Sequence, residues 1–186
     1  MIAQLVTWLM VGYFFAIYSI YLMLTLLATR ALLRNQHYRD MEDLPMAYSQ
    51  LVPPISVLVP AYNEEMTIVA TVESLLQLSY GKFEVIVIND GSEDQTLSVL
   101  VEHFRLLSYP ETNRVQIPTK EVIGIYRSPY YPKLRVIDKR NGGKADSLNA
   151  GINASRYPLF CGVDADSVLE RDSLQKVVKP FLRHPD

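Results

Sequence analysis

Residues 83–94 read Phe-Glu-Val-Ile-Val-Ile-Asn-Asp-Gly-Ser-Glu-Asp, a mostly apolar, β-branched run that stops at a cluster of polar residues. A run of this length and composition is typical of a strand that is buried on both faces of a sheet. The same pattern recurs on either side of this segment. The predicted strands are Ile55–Val59, Phe83–Asn89, Leu134–Ile137 and Leu159–Val163.

Helical patterns lie between the predicted strands, with apolar residues repeating every three or four positions. The predicted helices are Glu64–Leu78, Glu93–Leu107, one from about Gly143 to Ala154, and a last one after Arg171. Ser92 and Gln95 have the spacing of a capping box, which predicts the start of the second helix. The alternation of strands and helices predicts a Rossmann-like α/β fold, in which a mostly parallel sheet carries helices on both faces.

The connection 108–133 interrupts this alternation. It contains four prolines and four tyrosines, and it is too long for an ordinary loop between a helix and a strand. We expect an insertion here, with a short hairpin around Val122–Tyr126. Two interpretations stay open: the insertion decorates the surface, or it contacts the membrane, a partner or the acceptor of a reaction.

The N-terminal 29 residues contain no Asp, Glu, Lys or Arg. As a helix, the apolar run Leu5–Leu27 would be about 35 Å long, enough to cross a hydrocarbon core of about 30 Å. A signal peptide has its basic residues before a shorter apolar stretch, whereas here Arg30, Arg34 and Arg39 follow it. The sequence therefore predicts a retained transmembrane helix at 1–29.

The positive-inside rule gives this helix a direction in the inner (cell) membrane. The N-terminus is expected outside and the rest of the chain in the cytoplasm. Residues 30–54 are a polar juxtamembrane linker that ends at Pro53-Pro54, and residues 55–186 form the globular domain.

The composition excludes several classes of protein. Eighteen Lys and Arg residues against 20 Asp and Glu residues give a net charge of −2, which argues against a nucleic-acid partner bound by bulk charge. A hydrophobic content of 49% excludes a disordered chain. The single cysteine, Cys161, excludes an internal disulfide framework and a cysteine-rich zinc site.

Polar clusters follow all four predicted strands. In open parallel sheets, ligands bind outside the carboxyl ends of the strands, and these ends lie along one edge. The clusters span residues 60–65, 90–94, 138–146 and 164–167. Their convergence predicts a ligand site at that edge.

The first two clusters allow more than one interpretation. Asn63 could cap a helix, with Glu64 and Glu65 favoured near its N-terminus. Alternatively, Tyr62 stacks on a base and Glu64 accepts a hydrogen bond from a base or sugar. Asp90 is either a turn residue or an acceptor for a base imide or a ribose hydroxyl.

The last two clusters suit phosphate and a divalent cation. Lys144 follows two glycines at a predicted helix start, where backbone N–H groups and an ammonium favour phosphate. Asp164 and Asp166 directly follow an apolar strand and offer hard oxygen ligands, which suit Mg²⁺ or Mn²⁺ together with substrate phosphates.

Taken together, four segments resemble glycosyltransferase family 2, and most of all its membrane-embedded synthases of poly-N-acetylglucosamine, hyaluronan and cellulose. The segments are Val57-Leu-Val-Pro-Ala-Tyr-Asn-Glu-Glu65, Val87-Ile-Asn-Asp-Gly-Ser92 with Asp94 and Thr96, Asn141-Gly-Gly-Lys-Ala-Asp-Ser-Leu-Asn-Ala-Gly151, and Val163-Asp-Ala-Asp166. The resemblance covers about residues 50–186. Asn89 stands where many relatives carry aspartate.

The resemblance implies a GT-A fold, a UDP-sugar donor and inverting, metal-dependent transfer to a growing polysaccharide or other glycan acceptor. The implied substrate contacts are Pro60, Tyr62, Glu64, Asp90, Lys144 and Asp164, and the implied ligands of Mg²⁺ or Mn²⁺ are Asp166 and Asp164. The lipid bilayer is an expected partner, a membrane partner subunit is allowed for, and nucleic acid is not expected.

The resemblance also implies that the general base lies beyond Asp186. We therefore expect this chain to be a truncated, donor-binding half that is inactive alone, with one edge of its sheet unpaired. The alternative is a non-catalytic, membrane-tethered module that binds nucleotide sugars.

Overall fold

The structure is a computed structural model that describes residues 1–40, 52–110 and 116–183. The chain divides into two compact units, Met1–Pro45 and Met46–Asp186. Residues 41–51 of the predicted linker and 111–115 of the predicted insertion lie outside the described residues.

The first unit contains one long helix, α1 (Ile2–Asp40). Its segment Gln4–Leu32 is long and apolar enough to cross a membrane. The hydroxyls of Thr25 and Thr29 donate to backbone carbonyls four residues earlier, at 2.8 Å each, so these polar groups are satisfied within the helix. Residues 30–40 of the predicted linker are helical.

The second unit is built on a six-stranded sheet with the order β3-β4-β5-β2-β1-β6. The strands are β1 (Ile55–Ala61), β2 (Phe83–Asp90), β3 (Leu107–Ser108), β4 (Val122–Arg127), β5 (Leu134–Lys139) and β6 (Leu159–Gly162). The four strands predicted from the sequence, β1, β2, β5 and β6, are parallel to one another, which confirms the predicted sheet. β6 is the outermost of them and pairs with β1 alone among the described strands.

Helices cover both faces of this sheet. They are α2 (Ile68–Leu76), α3 (Thr96–His103), α4 (Lys144–Ala154) and α5 (Ser173–Arg183). Alternate strand residues point to opposite faces, so Val57, Val85 and Val136 join a core with α2, α3 and α5, while Leu58, Ile86 and Ile137 pack under α4. Each fully buried Leu, Ile or Val contributes about 1.5–3 kcal/mol relative to an exposed one.

A glycine within α4 sets how closely this helix approaches the sheet. A Cβ at Gly151 would lie 3.0 Å from side-chain carbons of both Leu58 and Ile88. A side chain at position 151 would therefore require the side chains of Leu58 and Ile88 to shift by a few tenths of an ångström.

The start of α3 differs from the sequence prediction. Its N-cap is Gln95, which makes no side-chain cap hydrogen bond; the Asp94 carboxylate accepts from the backbone N–H and the hydroxyl of Thr96, at 2.9 and 2.6 Å. The Ser92 hydroxyl instead donates to Asn89 at 2.6 Å. The predicted capping box is wrong because Ser92 is bound within the loop after β2.

The predicted insertion is partly built into the sheet. A strand lies where the short hairpin was predicted, around Val122–Tyr126: β4 pairs antiparallel with the next strand, β5, and with β3, so it is part of the sheet. The segment that leads into β4 is held by Asn153 of α4, whose amide oxygen accepts from the N–H groups of Gln116 and Ile117 at 3.1 and 2.9 Å. Residues 116–127 are therefore packed into the domain and are not a separate insertion on its surface.

Candidate functional site

A cavity of about 260 Å³ opens at the carboxyl edge of the parallel strands. Its walls come from the loop after β1, the end of β2, the first turn of α4 and the loop after β6. The lining residues are Pro60, Ala61, Tyr62, Glu64, Asp90, Lys144, Ser147, Asp164, Ala165 and Asp166. All residues that were predicted to contact substrate or metal thus lie around one cavity, although their roles stay predictions.

The loops after β1 and β2 are joined to each other by hydrogen bonds. The amide oxygen of Asn63 accepts from the backbone N–H of Glu93 at 2.9 Å, and the Asn63 N–H donates to the Ser92 hydroxyl at 3.0 Å. Asn63 adopts a left-handed conformation with φ of 56°, which asparagine tolerates better than most residues. It is not a helix cap, because α2 begins after Thr67.

This joined pair of loops presents Tyr62 and Glu64 to the cavity. The Glu64 N–H donates to the Thr96 hydroxyl at 2.8 Å, and the Glu64 carboxylate accepts from the Thr67 hydroxyl at 2.6 Å. The Tyr62 side chain is 45% exposed. An exposed ring on a loop that is held by hydrogen bonds can stack on a planar group with little loss of conformational freedom.

Asp90, at the end of β2, is buried and holds the loop that precedes α4. Its carboxylate accepts from Lys139 Nζ at 2.5 Å and from the backbone N–H groups of Gly142 and Gly143 at 3.0 and 2.7 Å. Burial acts to raise the pKa of Asp90, but these donors outweigh it and hold the pKa below the ordinary value. Asp90 is therefore ionised at neutral pH.

Lys139 is a residue of this site that the sequence reasoning missed. Its side chain is fully buried, and its ammonium lies between Asp90 and Asp146, at 2.5 and 2.7 Å. The sequence contained a signal: Arg135, Ile137 and Lys139 alternate onto the face of β5 under α4, and a charge on a buried face needs a partner. Asp146, in the first turn of α4, is that partner.

The N-terminus of α4 opens toward the cavity. Gly143, with φ of 86°, precedes the helix in a conformation that favours glycine. Lys144 is exposed and pairs with Asp164 at 2.5 Å. Exposed pairs of this kind contribute only about 0–1 kcal/mol, so Lys144 can exchange Asp164 for a phosphate at little cost.

The turn after β6 places two carboxylates on the cavity wall. Asp164 and Asp166 flank the buried Ala165, whose carbonyl accepts from the Thr71 hydroxyl at 2.7 Å. Asp166 has no hydrogen bond or ion pair to any residue that the structure describes.

These two carboxylates fit a cation that brings other ligands with it. Within residues 1–40, 52–110 and 116–183, no group of three or more His, Cys, Asp or Glu side chains could hold a metal ion. Mg²⁺ and related ions typically take one or two carboxylates and complete their coordination with phosphate oxygens and water. Asp166 and Asp164 therefore fit such an ion when a diphosphate is bound beside them.

Comparisons with known proteins place this chain in a family. The family model "Glycosyl transferase family 2" matches residues 56–186. The chain is 31% identical over 136 residues to a poly-β-1,6-N-acetyl-D-glucosamine synthase of Staphylococcus epidermidis, covering 73% of this chain and 27% of the relative. It is 28% identical over 146 residues to a hyaluronan synthase of Pasteurella multocida, covering 78% and 13%. The chain thus spans about a quarter or less of the length of these relatives.

Solved structures confirm the GT-A fold that the resemblance implied. S. aureus TarS 1-349 in complex with UDP-GlcNAc matches with a TM-score of 0.51 and 24% identity, over 71% of this chain and 32% of that TarS chain. The mannosyltransferase PcManGT of Pyrobaculum calidifontis, in complex with GDP-Man and Mn²⁺, matches with a TM-score of 0.55 and 22% identity, over 81% and 39%. At these identities the likeness concerns the fold alone.

Proposed function

The chain belongs to glycosyltransferase family 2, and on this premise we propose that it is the donor-binding part of a membrane-anchored, metal-dependent glycosyltransferase. The enzyme would transfer a sugar from a UDP-sugar to a growing polysaccharide or glycan with inversion. One observation carries the proposal: the cavity combines an exposed tyrosine ring, a helix N-terminus with Lys144, and the carboxylates of Asp164 and Asp166. These groups match the base, the diphosphate and the cation of such a donor.

The uridine would lie against the loops after β1 and β2. Tyr62 offers its exposed ring to the base, and Glu64 lies beside it as a hydrogen-bond acceptor. A carboxylate has about four acceptor positions, and three of those on Asp90 are taken by Lys139, Gly142 and Gly143. The remaining acceptor position of Asp90 would accept a hydrogen bond from the base imide. The main contribution of Asp90 is to hold the loop before α4.

The diphosphate would lie at the N-terminus of α4. Backbone N–H groups there favour an anion, and Lys144 would leave Asp164 to pair with a phosphate oxygen. Asp166, together with Asp164, would hold Mg²⁺ or Mn²⁺, which when bound neutralises charge on the diphosphate. Because negative charge builds up on UDP as it leaves, these contacts stabilise the transition state more than the ground state.

Inversion requires one displacement at the anomeric carbon. The acceptor hydroxyl forms the new bond on the face opposite to UDP, the bond to the UDP oxygen breaks, and the hydroxyl proton passes to a base. Three internal donors hold the Asp90 carboxylate and Asp164 is paired with Lys144, so neither is suited to take that proton. We expect the base beyond Asp186, as the family resemblance implies.

The helix α1 would anchor the enzyme in the inner (cell) membrane. Most of its apolar side chains from Ile2 to Leu27 are exposed along the helix, and its first Arg is Arg30. By the positive-inside rule, the N-terminus would face outward and the catalytic domain the cytoplasm.

A second function is a membrane-tethered module that binds nucleotide sugars without transfer. One observation favours it: Asp90 and Asp164 are both paired with lysines and are therefore poorly suited to act as a general base. A module that only binds the donor needs no such base. A transfer assay with radiolabelled UDP-N-acetylglucosamine and a glycan acceptor separates the two when it is run on a protein that also carries the general base, since the module would bind the donor without consuming it.

Calorimetry on the full chain in lipid nanodiscs tests the donor site. We expect UDP to bind in the presence of Mn²⁺, and Asp166→Asn to weaken this binding about tenfold or more by removing a metal ligand. Asp172→Asn is the matched control, because Asp172 is an exposed aspartate that pairs with Lys176 outside the cavity. UDP binding that is independent of Mn²⁺ and unchanged in Asp166→Asn would overturn the assignment.

A further inference from the structure

A second and larger cavity, of about 440 Å³, lies at the opposite edge of the sheet. We call it the tyrosine groove; it is lined by Glu73 and Leu76 of α2, by Gln77 directly after this helix, and by the loop Tyr130-Tyr131-Pro132-Lys133. This loop directly precedes β5, and the Lys133 carbonyl accepts from the N–H of Val85 at 2.9 Å. The groove is therefore near the amino ends of β2 and β5, whereas Asp90 reaches the donor cavity at the other end of β2.

The tyrosines of this loop are exposed but firmly held. Tyr130 is 70% and Tyr131 39% exposed. The buried Ser128 hydroxyl donates to the Phe104 carbonyl at 2.6 Å and accepts from the N–H groups of both tyrosines at 3.2 Å. The Tyr131 ring also packs edge-on against Phe104, with centroids 5.3 Å apart. The ring of Tyr131 and the backbone of Tyr130 are thus held in place, and an aromatic ring held in this way binds a ligand with little loss of conformational freedom.

The polar groups of the groove carry both signs of charge. Glu73 pairs with His103 at 2.8 Å, and Lys133 Nζ lies 4.0 Å from the centroid of the Phe83 ring. Gln77 adds an amide that both donates and accepts. A carboxylate, an ammonium and an amide in one groove match a neutral ligand with many hydroxyls better than a strongly charged one.

We propose that the tyrosine groove binds a neutral oligosaccharide. A pyranose ring has faces of C–H bonds that stack on aromatic rings, while the hydroxyls at its rim bond to groups such as those of Glu73, Gln77 and Lys133. The volume lies within the range of about 300–1,000 Å³ that is usual for small-molecule sites. The choice of a glycan rests on the proposed function, since a glycan held at this edge would raise the local concentration of an acceptor.

A titration with the β-1,4-linked hexamer of N-acetylglucosamine tests this site. The full chain is held in lipid nanodiscs, because sugar-based detergents would compete, and saturation-transfer NMR follows the hexamer. We expect binding that Tyr130→Ala weakens about tenfold and that Tyr130→Phe retains, because the ring provides the stacking surface. Tyr109→Ala is the matched control, since Tyr109 is exposed but lies outside the groove, over Arg127.

A parallel titration with UDP and Mn²⁺ shows whether each variant is folded and keeps the two proposals apart. If the chain binds UDP but not the hexamer at millimolar concentration, the proposal that the groove binds a glycan is wrong. The proposed donor site would be unaffected by that result. A proline-rich peptide is the third probe, because aromatic grooves also bind such peptides. If that peptide bound in place of the hexamer, and Tyr130→Ala abolished its binding, the glycan assignment would be wrong.

Discussion

Two buried charge clusters lie under α4, one at each end of it, and they differ in whether they open to a ligand. The Lys139 cluster, formed by Asp90, Lys139 and Asp146, is at the carboxyl edge of the sheet. The Arg135 cluster, formed by Ser56, Glu84 and Arg135, is at the amino edge. Arg135 and Lys139 lie on the same face of the same strand, β5, under the same helix. The two clusters therefore differ mainly in which end of α4 they contact.

The Arg135 cluster is closed. Arg135 donates to Glu84 at 2.8 Å and to the Ala154 carbonyl at the end of α4, and Glu84 also accepts from the Ser56 hydroxyl at 2.7 Å and the Arg156 N–H at 2.9 Å. All these partners are internal, and none of the cluster residues lines either cavity described above. This cluster fixes the C-terminal end of α4 on the sheet.

The Lys139 cluster has the same chemistry but an open side. Its Asp90 lines the donor cavity and holds the N–H groups of Gly142 and Gly143, which set the position of Lys144. A buried ion pair alone therefore does not mark a functional site. What distinguishes the site is that one member of the pair also faces a cavity.

The largest expected effect is on the closed cluster. Arg135→Met leaves the Glu84 carboxylate buried without its main counter-charge, and we expect a loss of about 3–5 kcal/mol in the free energy of unfolding. Urea unfolding of the full chain, followed by near-UV circular dichroism, measures it. The double variant Glu84→Leu/Arg135→Met is expected to be more stable than the single one, because no charge is left unpaired. A loss below about 1 kcal/mol in Arg135→Met would contradict a structural role for the pair.

Lys139→Met should have a smaller effect on stability, about 2–3 kcal/mol, but one that depends on pH. In the native protein the pKa of Asp90 is below its ordinary value, so its stabilising contribution is present above the unfolded pKa and is lost only as the pH falls through the folded pKa. Without Lys139, burial dominates and the pKa of Asp90 rises. The deficit of the variant should then be largest at neutral pH and shrink toward pH 4.

Urea unfolding of both proteins between pH 4 and pH 8 checks this prediction. If Lys139→Met only removed packing contacts, the loss in free energy of unfolding would be the same at every pH. That result would show that Lys139 does not stabilise the fold through its charge. Lys139→Arg keeps the positive charge beside Asp90. The difference in free energy of unfolding between this variant and the native protein should therefore depend less on pH than it does for Lys139→Met.

The two clusters also show what could be predicted from the sequence. The strands and the residues that follow them were predictable, because short β-branched runs and the rule for parallel sheets are local signals. The partner of Lys139 was not, since it depends on which helix covers β5. The pairing of β4 with β5 likewise depends on contacts such as that of Asn153 with Ile117, which join residues 36 positions apart.

The smallest effect on stability is expected at the exposed pair of the open site. Asp164→Asn removes the partner of Lys144, and because both side chains are more than half exposed, the free energy of unfolding should change by about 0.5 kcal/mol or less. The same substitution separates the two roles of Asp164 in binding. Without metal, UDP should bind a few-fold more tightly, because Lys144 is released and a negative charge is removed from the cavity.

With Mn²⁺ present the order of affinities should reverse, because Asp164→Asn also removes an expected metal ligand. Calorimetry with UDP, with and without Mn²⁺, measures both effects, and Asp172→Asn should change neither. If metal-free binding weakened instead, Asp164 would contact the nucleotide directly rather than hold Lys144. Since the residues of the closed Arg135 cluster line neither cavity, no substitution in that cluster should produce such a reversal, and this distinguishes it from the residues of the donor cavity.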